Sequence, residues 1–105
     1  MLSKKHRLAK ELDLKATLKR GRSFFNPFFN IKFLPGPQKR FAVVVSTKVY
    51  KQAVKRNRLK RIVREHIRKN LAHFRPGYYV IMAKPKITSL PEEKIIPALA
   101  DSGLK

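Results

Sequence analysis

Residues 55–69 read KRNRLKRIVREHIRK, a run with eight Lys or Arg and a single Glu. Leu59, Ile62, Val63, Ile67, Leu71 and Phe74 recur at spacings of three and four, which is the buried stripe of an α-helix. At about 100° per residue, Asn57, Arg61, Arg64 and Arg68 gather on the opposite face, with Lys55 and Lys60 on its shoulders. Glu65 is spaced to pair with Arg61 or Lys69 at i,i+4, an interaction worth only a few tenths of a kcal/mol. One carboxylate leaves this helix strongly cationic.

Upstream, RFAVVVST is a strand rich in β-branched residues, preceded by the turn PGPQ at residues 35–38. FFNPFFNIKFL alternates: Phe29, Ile31 and Phe33 point one way, Phe28, Asn30 and Lys32 the other, with Pro27 at the strand start or a bulge. The short connection predicts an antiparallel hairpin of these two strands. KVYKQAV reads as a helical turn or short helix leading into the basic segment. Leu8, Leu12, Leu14 and Leu18 predict a first helix near residues 9–19, stopped by Gly21. Downstream, Pro76-Gly77 ends the basic helix, and YYVIMA (78–83) is apolar enough for a buried strand. Ser89-Leu90-Pro91-Glu92 resembles a capping box before a short last helix that Pro97 kinks or ends. The order α-β-β-α-β-α predicts one α+β sandwich. A single domain is expected over residues 1–105, with a basic segment at about 1–8 and a Pro-containing tail at about 84–105.

Composition narrows the partner. The chain has 105 residues, 26 Lys or Arg against six acids, and a net charge of +20. Such a charge destabilises a small fold by self-repulsion and suits a polyanion, whose condensed counterions are released on binding. The helix's mostly Arg cations match phosphate with a planar fork. A solvated helix face is the blander alternative, but such faces usually mix signs. Membrane binding is disfavoured because Trp is absent and the apolar stripe is the size of one packing face. The lack of Cys, of a secretory h-region and of a spanning segment fits a soluble, cytoplasmic protein.

Catalytic groups are sparse. The six acids are Glu11, Asp13, Glu65, Glu92, Glu93 and Asp101, and none falls in a predicted strand, so a carboxylate cage for a metal is not expected. His66 and His73 lie seven apart on the predicted helix, too far for concerted acid–base work on one phosphate, and read as packing residues. Neither a metal site nor a catalytic residue is expected in the protein, nor a small-molecule substrate.

VVVSTKVYKQAVKRNRLKRIVREHIR, residues 43–68, resembles the signature region of the bacterial ribonuclease P protein component. Arg56-Asn57-Arg58, Lys60-Arg61 and Arg64-Glu65 carry the resemblance, with flanking support from KRGRSFFNPFFNIKFL and GYYVIMAKP. The resemblance implies the family's α–β sandwich with a left-handed βαβ crossover. It implies an endoribonuclease subunit that binds ribonuclease P RNA and the 5′ leader of precursor tRNA while the RNA, with Mg²⁺, does the chemistry. It implies that Arg56, Asn57, Arg58, Lys60, Arg61 and Arg64, with Arg68 on the same helix, contact RNA, Asn57 alternatively pinning the turn before the helix. It further implies a leader cleft including Phe29, Lys32, Lys48, Leu14 and Leu18. The sequence departs from the family where the link before Ala53-Val54 lacks a Gly and is one residue longer. It departs again where Leu14, Leu18 and Lys32 stand at often-aromatic positions. Phe24, Phe25, Phe28 and Tyr78 are read either as a base-stacking surface or, more commonly for strand aromatics, as packing. A ribosomal RNA-binding protein and a stand-alone His-dependent ribonuclease are the competing readings.

Overall fold

A computed structural model describes residues 6–8 and 11–100. The chain runs α1 (Glu11–Arg20), β1 (Arg22–Phe25), β2 (Phe29–Pro35), β3 (Lys39–Val44), α2 (Ala53–Lys69), β4 (Gly77–Ala83) and α3 (Ile95–Ala100). Short 3₁₀ turns lie at Leu71–His73, Pro85–Ser89 and Glu92–Lys94. The architecture is α+β, with helices packed on a mixed four-stranded sheet of order β1-β2-β4-β3.

β4 is central. It pairs antiparallel with β2, setting Ile31 opposite Ile81 and Phe33 opposite Tyr79, and parallel with β3, setting Val43 opposite Ile81 and Phe41 opposite Tyr79. Tyr79, Val80 and Ile81 are buried in succession, as only a strand covered on both faces requires. A parallel neighbour cannot be reached by a tight turn, so the chain crosses from β3 to β4 through α2. That crossover separates β2 from β3, and the expected β2–β3 hairpin does not form.

The hairpin is instead β1–β2, where Phe24 faces Ile31 and Phe25 faces Asn30. Its turn is built by Asn26: the side-chain oxygen accepts from the backbone N–H groups of Phe28 and Phe29 at 2.9 and 2.8 Å. Asn26 N–H donates to the Phe29 carbonyl at 3.0 Å. An Asn-Pro pair is turn chemistry, and it divides what reads as one stretch into two strands, adding a strand to the predicted order.

Odd-numbered residues of β2, β3 and β4 join Leu59, Val63 and Ile67 of α2 and Ile95, Ala98 and Leu99 of α3 in the main core. An aromatic cluster closes one end: Phe41 stacks on Tyr79 with centroids 4.7 Å apart, and Phe74 meets Tyr79 edge-on at 5.7 Å. The Tyr79 hydroxyl donates to the Arg75 carbonyl at 2.8 Å. Gly77 opens β4 at φ +152°, where a Cβ would strike the Phe33 ring and the Leu34 carbonyl, so the turn requires glycine. α1 packs on β2 and β4 from the other, even-numbered face. Its inward residue is Thr17, fully buried with its hydroxyl donating to the Asp13 carbonyl at 2.8 Å. Leu12 is 82% exposed, so the leucine repeat marks the helix but not its buried side.

The tail departs from expectation. Pro97 sits in the first turn of α3, where its missing N–H costs no hydrogen bond, and it does not end the helix. Ser89 donates to the Lys86 carbonyl and forms no capping box. His73 lies in the 3₁₀ turn after α2 ends at Lys69, so the two histidines do not share a helix face.

Candidate nucleic-acid interface

With Leu59, Val63 and Ile67 buried, α2 presents its other side to solvent. Asn57, Arg61, Arg64 and Glu65 line one shallow depression there, the clustering that the spacing predicts. Arg61 and Arg64 meet no carboxylate among the described residues, and Lys60 and Lys55 flank them on the same helix. The first turn of α2 carries no acid and its N-cap Gln52 makes no side-chain cap bond. The positive end of the helix dipole therefore adds to the cations beside it and favours phosphate.

Three other predicted contacts are engaged internally. Arg56 donates through one guanidinium nitrogen to the carbonyls of Tyr50 and Lys51 at 2.9 and 2.7 Å, closing the link that precedes α2. Arg58 pairs with Glu92 of the tail at 2.7 Å. Arg68 clamps Glu65 with two bonds of 2.9 and 3.2 Å. The hydrogen bond from Arg68 holds the Glu65 carboxyl down at about 2, so Glu65 pairs at i,i+3 rather than with Arg61 or Lys69. Asn57 lies in the second turn of α2, which begins at Ala53, and does not cap the helix.

A second surface lies on the even-numbered face of the sheet, where α1 leaves part of it open. Register places Ser23 beside Lys32, then Val80 and Ala42; the next row is Phe25, Asn30, Met82 and Val44. Phe25 is 69% exposed and Val44 40% exposed. The Lys84 ammonium lies 5.3 Å from the Phe25 ring centroid, and Lys32 donates to the Ser23 hydroxyl. Leu14 is half-buried and Leu18 partly exposed on α1 at this side. Lys48 is exposed in the turn after β3.

Phe29 departs from the predicted cleft: it is fully buried in the core on the opposite face from Lys32. Phe25 takes its place as the accessible aromatic. Period-two counting from Lys32 through the Asn-Pro turn does not find it, because the turn resets the alternation.

Comparison with known proteins places the chain in one family. The Ribonuclease P family profile matches residues 2–102. The chain is 34% identical over 99 residues to the ribonuclease P protein component of an Exiguobacterium species, spanning 93% of this chain and 87% of that protein. It is 34% identical over 86 residues to the namesake of Coprothermobacter proteolyticus, spanning 82% and 71%. Among solved structures, the RNase P protein of Thermotoga maritima superposes with a TM-score of 0.79 at 28% identity, covering 90% of this chain and 92% of that one. The Staphylococcus aureus RNase P protein gives a TM-score of 0.87 over 92% and 91%; at 24% identity it speaks to the fold.

Proposed function

The chain belongs to the ribonuclease P protein family, and on that premise we propose how its two surfaces divide the work of the holoenzyme. It is the protein component of ribonuclease P, the endoribonuclease that matures tRNA 5′ ends, and its partner is RNA. The α2 face docks on ribonuclease P RNA. Asn57, Lys60, Arg61 and Arg64 meet its phosphates directly, while Arg58 and Arg68 join by exchanging carboxylate for phosphate. The open sheet face beside α1 holds the single-stranded 5′ leader of precursor tRNA, with Phe25 as a stacking platform and Lys32, Lys48 and Lys84 as phosphate contacts.

The observation that carries this division is the geometry of Arg61 and Arg64, two guanidinium groups around one depression on the outer side of α2 that pair with no carboxylate among the described residues. Mg²⁺ belongs with the RNA in this reading. Among the described residues no three His, Asp or Glu come together to hold a metal ion, and we assign its coordination to the RNA. Its role is to position: it adds cations where folded RNA is most crowded with phosphate and a groove that engages precursor but not product. No helix among the described residues is long and apolar enough to cross a membrane.

The test is cleavage of a 5′-extended precursor tRNA at low Mg²⁺ by the protein, by ribonuclease P RNA, and by both. Cleavage appearing only with both supports the proposal. Enhancement that is absent while RNA binding persists would overturn it.

A further inference from the structure

Between α2 and the tail lies a groove of about 290 Å³; of its lining, the contacts above use only the Arg58–Glu92 pair at the rim. Its floor is aliphatic, from Leu59 and Ile62 of α2 and Leu90 and Ile95 of the tail, with the Tyr50 ring on one side. Its rim is charged: Lys55 and Arg58 on the helix and Glu92 opposite, with Thr88 at the edge. The volume is near the lower end of small-ligand pockets, about 300–1,000 Å³, which admits one aromatic heterocycle and excludes a folded segment.

We propose that this groove receives a single unpaired nucleotide of the RNA bound to α2, its base against the aliphatic floor and its phosphate at Lys55 and Arg58. The inference rests on the RNA-docking role of α2 argued above. Three features select this occupant. An apolar slot beside two cations matches a flat base joined to a phosphate. The cations belong to the same helix as Arg61 and Arg64, so a strand engaged there reaches the groove without leaving the protein. Glu92 already binds Arg58 as a carboxylate stand-in for phosphate, at 2.7 Å with both side chains well exposed, and exposed pairs are weak enough to be displaced.

The pair thus closes the rim in the free protein and yields to the RNA. Thr88→Trp, which fills the groove, is expected to lower affinity for ribonuclease P RNA by about tenfold, within the range of a lost base stack. The salt dependence should stay that of the parent, because no phosphate contact is removed. Glu92→Gln, which frees Arg58, is expected to raise affinity about two- to fivefold, the strength of an exposed ion pair.

Should Thr88→Trp melt far below the parent, Thr88→Cys decides. The chain has no Cys, so this thiol is unique and carries a photoreactive aryl azide. A crosslink to one unpaired nucleotide supports the proposal; a crosslink to a second protein chain, or none, overturns it. Unchanged affinity in a folded Thr88→Trp overturns it as well. Failure of the parent chain itself to bind the RNA would instead sink the docking role of α2, so the two failures are told apart in one titration.

Discussion

The Asn26 side-chain amide donates to the Ala98 carbonyl at 2.7 Å, across 72 residues of sequence. One residue thereby builds the β1–β2 turn through its oxygen and ties that turn to the last helix through its nitrogen. The hairpin edge that carries Phe25 is anchored to the tail by this contact.

Asn26→Ala removes all three bonds and strands partly buried donors, at about 1–3 kcal/mol. Asn26→Asp keeps the acceptor for Phe28 and Phe29 and loses only the donor to Ala98. Thermal melts should rank the parent above Asn26→Asp and Asn26→Asp above Asn26→Ala. Equal melting of the two variants would show that the turn bonds contribute nothing.

Arg64 and Arg56 separate binding from architecture. Arg64→Ala is expected to weaken RNA binding and flatten the plot of log K against log salt by about 0.7–0.9, one phosphate contact, with the melting temperature unchanged. Arg56→Ala removes the bonds to the Tyr50 and Lys51 carbonyls and should lower stability by about 1 kcal/mol along with affinity. A calorimetric scan beside a salt titration reads both quantities, and a loss of melting temperature in Arg64→Ala would make that residue structural.

How much of this was legible depended on whether a residue's role is fixed locally. α2 declared itself through Leu59, Val63 and Ile67, because a 3.6-residue period is a property of the segment alone. β4 announced its burial through YYVIMA, yet its place between β2 and β3 was hidden, since strand order depends on which strand the two helical layers can cover. Pro27 read as a strand start or a bulge, because one proline inside an alternating run does not by itself show that Asn26 folds the run back into two strands. The cations were countable from sequence, while which of them bond within the protein was not. Arg58 meets Glu92 only after the tail folds back, and Arg56 finds its carbonyls only in the particular path of the link before Ala53.

Phe25 is the accessible aromatic on the open sheet face, and its removal costs the core nothing. Phe25→Ala is therefore expected to reduce affinity for precursor tRNA in the holoenzyme by about 5- to 100-fold, the range of one stacked base. Affinity for mature tRNA, which lacks the leader, should be unchanged. Phe25→Tyr should restore discrimination because it keeps the ring. Equal losses for precursor and product would place Phe25 outside the leader path.

His66 gives the fold a pH dependence of defined sign. Burial lowers its pKa below the ordinary value of 6.5, and the Asn70 amide sits 3.2 Å from Nδ1, a contact that suits a neutral ring accepting the bond. The unfolded chain therefore takes up the proton at higher pH than the folded one. The contribution is fully present above the ordinary imidazole value and is lost as the pH falls through that value to the lower folded one. Melts between pH 5 and 8 should show stability declining on the acid side of 6.5, and His66→Gln should flatten that limb. Glu65, held at about 2 when folded, loses its contribution only as the pH falls through the ordinary carboxylate value of 4.5 and below, so it adds to the decline only at the acid edge of the window. A decline that persists in His66→Gln would assign the acid sensitivity to another group.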